Sequence, residues 1–559
     1  MLNTRLVLFR VVLLLALAAA VSPVLATPSE TLAENQLCER IELIFETGQL
    51  VVGGNAISAI HLIPEFYDRR NYSLAWRSES NMNELMSMIE ASWEDGLTPA
   101  DYHQESLGRM LDDYRAGKMT PCNRADMDIL LTDALIRLGY HYIYGKVNPG
   151  SLDSDWNLAR EISGKDPVEV LQEAIDADSL ALYVGGLGPD IPMYGKLREA
   201  LAEYRQIEAG GGWPAVPMGP ALKPGMRDER IATIRARLRV TGDIADTVSH
   251  DPTLYDEDLE QAISRFQKRH ALDVDGVVGK STLAAMNIPA AERIDQIRVN
   301  LERIRWISHN LPNRLLVTDI AGFRAEILEG DLVAWESAVQ VGKPYRKTPV
   351  FRDTLKYIVF NPTWTVPPTI FAKDILPKIK QDPEFLKKKN MRVIDRDGNN
   401  VDAGTIDWSA TTRRNFPFMI RQDPGPDNAL GRVKFMFPNK HAVYLHDTPH
   451  QSGFGRAARA FSSGCIRVQK PFELAEILLN DPENWSLEKI RQVIDSKKTT
   501  TVHLQEPIPV YLLYWTVAIN EEMLYFKPDV YSRDGKVLAA LNGSFRLEVP
   551  EKMPEWFKN

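Results

Sequence analysis

Tyr444-Leu445-His446-Asp447-Thr448-Pro449 and Phe461-Ser462-Ser463-Gly464-Cys465-Ile466-Arg467-Val468 are the two stretches on which the reading of this chain turns. Ala442 to Leu445 has strand character, and period-two alternation puts Tyr444 and His446 on one face and Asp447 on the other. The residue types suit acyl transfer at a carbonyl. A thiol with a free pKa near ~8.5 becomes a strong nucleophile when an imidazole takes its proton and holds the ion pair. Gly464 lets the backbone turn tightly beside Cys465. Backbone N–H groups in such a turn can point at a developing oxyanion. Arg467 can grip a carboxylate with both guanidinium arms. Asp447 faces away from the imidazole, so a backbone carbonyl is the expected partner of His446.

Other readings compete for the same residues. A lone cysteine is more often a buried, inert thiol than a nucleophile, and a lone histidine is by default a satisfied core residue. His441, His446 and His450 cluster as zinc ligands would. However, Pro449 disfavours the helix that would set His446 and His450 on one side, and the glutamate of the helical metalloprotease motif is absent. No metal and no cofactor is expected. The Asp273–Gly279 run fails as a calcium loop, because Ala271 and Thr282 stand where an EF-hand needs Asp and Glu.

Outward from the two stretches, Arg314–Asp319, Ala325–Leu328, Ala334–Val341, Lys356–Asn361 and Arg432–Phe437 alternate or run apolar with many β-branched residues, as strands do. Ile508–Ile519 reads as a further buried strand. The Lys- and Arg-rich segment 371–420 interrupts the pattern and reads as an inserted flap. Residues 313–520 therefore form a mainly-β domain. Before it, Ala291–Ser308 reads as a connecting helix within 289–312. In the unit 226–288, Leu259, Ala262, Ile263 and Phe266 make one helix face, and Ser281-Thr282 suit the N-cap of another helix. Gly210-Gly211-Gly212-Trp213-Pro214 opens a Gly/Pro linker over 209–225. Residues 27–208 are mostly helical, with stripes in Asn81–Ser92 and Asp126–Tyr144. No chemistry is legible there; a scaffold or docking role is expected, with Tyr72, Trp76 and Trp93 as core. Residues 521–559 are a C-terminal extension. The fold class is multidomain α+β.

With 559 residues, 44% of them hydrophobic and 25% charged, the chain has the composition of a multidomain globular protein. A net charge of −9 argues against nucleic acid as a partner. Arg5 and Arg10 precede the apolar run Val11–Val21, and Pro23 and Ala26 follow. This is the layout of a secretory signal over residues 1–26. The run is shorter than the ~20 residues that span a bilayer, and an uncleaved inner-membrane anchor is the alternative. The cysteines are Cys38, Cys122 and Cys465. Export permits a Cys38–Cys122 disulfide, but sequence does not place their Cα atoms.

Phe266-Gln267, Asp275-Gly276, Gly279 and Thr282 resemble the small three-helix peptidoglycan-binding domain of cell-wall enzymes. The His446 and Cys465 stretches resemble the signature of the YkuD-type L,D-transpeptidase catalytic domain: a His, about fifteen residues, then Ser/Thr-His-Gly-Cys and an Arg two places on. Fifteen residues follow His446 before Ser462-Ser463-Gly464-Cys465-Ile466-Arg467. Ser463 stands where the common signature has a second His, as in the large multidomain members of the family. Val341-Gly342-Lys343 with Thr348-Pro349, Asn361-Pro362-Thr363-Trp364-Thr365-Val366-Pro367, Pro509-Val510-Tyr511 and Tyr514-Trp515-Thr516 are similar to that subgroup as well.

The resemblance implies Cys465 as nucleophile, His446 as base, and Gly464 with the Cys465 N–H as oxyanion site, with Ser463 beside them. It implies Arg467 for a stem carboxylate and Tyr444 and Trp364 as pocket walls. It implies a periplasmic enzyme that joins peptidoglycan stems by 3→3 cross-links. A tetrapeptide donor forms a thioester and loses D-alanine, and the side-chain amine of a diamino acid accepts. Other cell-wall synthases are possible partners. Arg456, Arg459 and Lys470 near the site suit acidic stems or a merely solvated face. Two alternatives stay open: an L,D-carboxypeptidase that uses water, and a non-catalytic wall-binding scaffold.

Overall fold

The structure, a computed structural model, describes residues 28–158, 166–177, 179–245, 251–330, 332–520 and 523–545. The expected signal segment lies outside the described residues, as does the end of the C-terminal extension. The chain divides into two compact units.

The first unit comprises described residues within 28–90, 99–138 and 166–184. It is helical, apart from a short hairpin of β1 (Val51–Val52) and β2 (Asn55–Ala56). Its long helices Pro28–Thr47, Glu79–Ala91 and Gln104–Arg115 carry apolar residues at three- and four-residue spacing, and Met82, Leu85 and Ile89 are buried as that stripe requires. Two buried carboxylates tie its loops down. Asp128 accepts from the Tyr67 hydroxyl and from the Ala75 and Trp76 amides. Asp133 accepts from the Ser58 and Ala59 amides and pairs with His103 and Arg137. Trp76 is core, as expected, whereas Trp93, in the second unit, is about half exposed under the Arg205 guanidinium. Cys38 and Cys122 are both free.

The second unit holds 91–98, 139–163 and everything from 185 on. The helix Pro192–Ala209 lies in this unit. Its Tyr194, Leu197 and Leu201 pack with Ile297, Leu301 and Ile304 of the connecting helix Ala290–Arg305.

Helices Arg230–Val240, Glu257–Arg269 and Lys280–Met286 enclose their own core, into which Val216 and Leu222 of the linker also insert. The expected Ser281-Thr282 cap is not made, because the helix already starts at Lys280 behind Gly279. Thr282 instead accepts from Gln267, whose side chain also binds Asp275, Gly276 and Val277 and so holds the Asp-Gly turn.

The β domain uses β3 (Arg314–Asp319), β4 (Arg324–Glu329), β5 (Leu332–Gly342), β6 (Phe351–Phe360), β11 (Val433–Met436), β12 (Leu445–His446), β13 (Ala460–Ser462), β14 (Ile466–Val468) and β15 (Thr500–Leu513). They lie in the order β13-β5-β14-β12-β11-β6-β15-β3-β4, and β4 also pairs with β5, so the sheet closes on itself. β3 reads as a continuous apolar run because both its faces are covered: Leu316 enters the main core, while Leu315 and Val317 pack with Val299 and Trp306. The strand expected over Ala442–Leu445 is shorter, since Ala442 has φ +53° and sits in a turn.

Between the paired neighbours β6 and β11 the chain leaves the sheet and forms a separate layer. β7 (Trp364–Thr365), β8 (Met391–Ile394), β9 (Asn400–Val401) and β10 (Met419–Gln422) make a four-stranded sheet in the order β7-β10-β8-β9. Phe371, Ile375, Ile379, Val393 and Ile420 form its private core. The insertion is thus wider than 371–420. A hairpin of β16 (Val517–Asn520) and β17 (Met523–Phe526) and the helix Asp534–Asn542 follow the sheet.

Candidate active site

Parallel pairing of β12 with β14 sets Leu445 against Ile466 and His446 against Arg467, and the Ile466 amide donates to the Tyr444 carbonyl at 3.0 Å. Cys465, one residue before β14, therefore lies beside the strand that carries Tyr444 and His446. All these side chains except Ile466 and Leu445 line one cavity of about 580 Å³, with Ser463, Trp364, His441, Lys343, Arg346 and Lys347. Of the seven site residues expected from sequence, Cys465, His446, Ser463, Arg467, Tyr444 and Trp364 line it; Gly464 shapes the turn behind. Trp364 also packs against the core of the insertion.

His446 is held by main chain. Its Nδ1–H donates to the Asp447 carbonyl at 2.5 Å, which leaves Nε2 as the basic nitrogen. The Asp447 carboxylate turns away, accepting from the Arg432 amide at 2.9 Å and from Gln451. Gly431, at φ +63°, must be glycine there, since a Cβ would collide with that carboxylate. Burial pushes the His446 pKa from 6.5 down to about 3, helped by the Arg467 charge. Burial also pushes the Cys465 thiol up, against hydrogen bonding from Tyr444 and the charges of Lys434 and Arg467. Burial thus works against both the imidazolium and the thiolate, and so against the ion pair expected from sequence. The S–H points at the Ala442 carbonyl, 3.7 Å away.

The turn Ser462–Cys465 corrects the expected oxyanion site. Gly464, at φ +124°, donates its N–H to Ser462 Oγ at 3.0 Å, and Ser462 Oγ donates to the Cys465 carbonyl at 2.5 Å. The Gly464 amide is therefore spent on the turn. The Cys465 N–H has no acceptor among the described residues and is the amide left for an oxyanion. The Gly464 carbonyl accepts from Thr348 Oγ1 at 2.8 Å, and Thr348 Oγ1 accepts from the Gly342 amide at 2.9 Å. Tyr531, from the C-terminal extension, donates its hydroxyl to the Gly342 carbonyl and accepts from the Thr348 amide. Ser463 Oγ accepts from Arg346 at 2.7 Å, and the same guanidinium nitrogen pairs with Asp374 of the insertion at 2.6 Å.

The basic residues at the cavity differ from those expected. Arg459 is spent on the Val339, Arg456 and Phe323 carbonyls, Lys470 faces Glu473, and neither they nor Arg456 line the cavity. Lys343, Arg346 and Lys347 do, along with Arg467, whose Nη1 donates to Gln340 at 3.1 Å. The Val341-Gly342-Lys343 and Thr348-Pro349 pattern was the available signal for that loop.

Comparison with known families fits this geometry. The family of L,D-transpeptidase catalytic domains, YkuD, matches residues 313–503. About a third of the chain is thus similar to L,D-transpeptidase catalytic domains. A "Putative peptidoglycan binding domain" matches 227–286 and a scaffold domain matches 61–201, so the helical scaffold, the three-helix module and the β-rich YkuD domain follow one another. A Haemophilus influenzae protein named "Putative L,D-transpeptidase" is 39% identical over 249 residues, 44% of this chain and 50% of that protein. The chain thus spans half the length of that relative. Among solved structures, an L,D-transpeptidase from Mycobacterium smegmatis is 14% identical with a TM-score of 0.18 over 36% of this chain and 58% of its own. One from Xylanimonas cellulosilytica is 13% identical with a TM-score of 0.16 over 53% of this chain and 99% of its own. Both likenesses are too slight to bear on function.

Proposed function

We propose that this protein is a periplasmic L,D-transpeptidase that makes 3→3 cross-links between peptidoglycan stems through a thioester on Cys465. The observation that carries the proposal is the convergence of Cys465, His446 and four cationic side chains on one cavity of the YkuD domain. Cys465 Sγ attacks the carbonyl of the third-position diamino acid of a tetrapeptide stem as His446 Nε2 takes the thiol proton. The Cys465 N–H faces the oxyanion. The amide to D-alanine breaks, the proton passes to the departing amine, and a thioester remains. The side-chain amine of a second stem attacks it, losing a proton to His446, and the thiol is restored. One amide is broken and one formed, so the step needs no nucleotide. Of these cations Lys343 and Arg467 suit stem carboxylates, Arg467 being the planar group that can bind one with two bonds, while Arg346 is paired with Asp374 and Lys347 donates to the Tyr531 carbonyl. The insertion that carries Trp364 and Asp374 acts as a lid over the thioester and holds back water.

The test is mass spectrometry of products after mixing the protein with disaccharide-tetrapeptide, alongside Cys465→Ala. A 3→3 dimer and free D-alanine, both lost in the variant, are expected. Tripeptide without dimer would make the protein a carboxypeptidase. No Cys465-dependent product would leave a wall-binding scaffold.

A further inference from the structure

Lys434 is a half-buried ammonium without a counter-ion. It lies on β11 directly opposite His446 on β12, and its Nζ stands 3.8 Å from the centre of the Tyr444 ring. That ring meets the His446 ring edge-on at 5.7 Å. No carboxylate pairs with Lys434 among the described residues. Holding an ammonium out of water without an anion is unfavourable, and an aromatic face compensates only in part. Burial accordingly lowers the Lys434 pKa, and the one influence that raises it is the Cys465 thiolate.

The other groups around Cys465 do not take this part. His446 reaches it from β12 and Tyr444 from the residue before that strand, and burial disfavours the charged form of both. Arg467 on β14 is tied to Gln340 and is placed to receive a substrate carboxylate, which would compensate its charge. Lys343, Arg346 and Lys347 line the open cavity from the loop after β5, Arg346 being paired with Asp374 of the insertion. His441 faces Asp155. Lys434 is not among the side chains that line the cavity, and its Nζ lies over the Tyr444 ring.

We propose that Lys434 is a positioning residue whose ammonium, set over the Tyr444 ring, provides a positive charge that favours the Cys465 thiolate. The proposal rests on Cys465 being the nucleophile. The lysine has no anion while the thiol is neutral and acquires one when the thiol ionises. Its charge therefore favours the thiolate selectively.

The experiment is the pH dependence of Cys465 alkylation by iodoacetamide, a neutral reagent that the cavity's charge does not steer. It is followed on the Cys465 peptide, because Cys38 and Cys122 are also free. Full-length wild type, Lys434→Met and Lys434→Arg are compared from about pH 6 to 10.5. The methionine keeps the packing on Tyr444 and removes the charge; the arginine keeps the charge. Lys434→Met is expected to move the inflection up by about one pH unit and to slow alkylation near pH 7 about tenfold, since the thiolate is the reactive form. Lys434→Arg stays near wild type. A Lys434→Met profile that superposes on wild type overturns the proposal, as does an arginine variant shifted as far as the methionine one. Lys434→Gln gives the same reading if the methionine variant is not recovered folded. Cross-linking retained by Cys465→Ala would sink the nucleophile reading instead, and the alkylation profile separates the two failures.

Discussion

Replacing Thr348 by valine tests whether the Cys465 turn is held from behind. Thr348 is fully buried, and its hydroxyl joins the Gly342 amide at 2.9 Å to the Gly464 carbonyl at 2.8 Å. Valine keeps the shape and removes the hydroxyl, which leaves both buried backbone groups without this partner. Each such group costs about 1–3 kcal/mol. The carbonyl lies near the cavity and can recover part of its loss from water, so a total of about 3 kcal/mol is expected. For a domain of this size each kcal/mol lowers the melting temperature by about 2–4 °C, so the catalytic transition should fall by roughly 6–12 °C. Thr348→Ser keeps both bonds and loses one methyl, about 1 kcal/mol. Differential scanning calorimetry of the full chain reads the shift. Cross-linking turnover should fall in parallel, because the Gly464 carbonyl anchors the turn that carries the nucleophile. A valine variant that melts within about 2 °C of wild type would refute the reasoning. So would a serine variant as damaged as the valine one, which would place the effect in the methyl packing.

Two further outcomes follow from the same site. Arg346→Met removes the link from Ser463 to Asp374. Because the Asp374 side chain is 42% exposed, the link contributes only about 1 kcal/mol, and amide exchange over 371–381 should quicken about fivefold to tenfold; unchanged exchange would show that it does not anchor the insertion. His446 has its pKa lowered from 6.5 to about 3 on folding, so between those values the unfolded chain binds a proton that the folded chain refuses. Stability from this source is complete above pH 6.5 and lost as the pH falls toward 3, by about 3 kcal/mol at pH 4.5. His446→Gln should therefore lose less stability than wild type between pH 7 and 4.5 in urea unfolding, and equal losses would contradict the burial of a neutral imidazole.

The parts legible in the sequence are those written in local periodicity or in one short motif. Arg314–Asp319 is found as a strand over the same residues, and the Leu259–Phe266 stripe is the buried face of its helix. The His446 and Cys465 stretches meet because each contributes a short strand, β12 and β14, and the two pair side by side in one sheet. What escaped depends on contacts between residues far apart in the chain. The Thr348 hydroxyl reaches Gly464 across 116 positions, and the Tyr531 hydroxyl reaches Gly342 across 189. No periodicity records such pairs. Nearness in sequence misled in the same way for Arg456, Arg459 and Lys470: Arg459 is held by the Val339, Arg456 and Phe323 carbonyls, Lys470 faces Glu473, and the cavity draws Lys343, Arg346 and Lys347 from the loop after β5. The Gly464 amide was lost to a competitor two residues away: Ser462 is in the motif, but only geometry reveals that its hydroxyl takes the N–H.

The charges around the site constrain where the catalytic proton can rest. Lys434 and Arg467 favour a thiolate on Cys465, yet both disfavour an imidazolium on His446. The partner of Nδ1 is a carbonyl, which orients the ring without supplying the negative charge that would stabilise the cation. The Asp447 carboxylate, which could have done so, is spent on the Arg432 amide. A buried imidazole in this setting passes a proton on more readily than it keeps one. In the proposed reaction the proton goes to the D-alanine amine as the thioester forms, so His446 carries it only in passage.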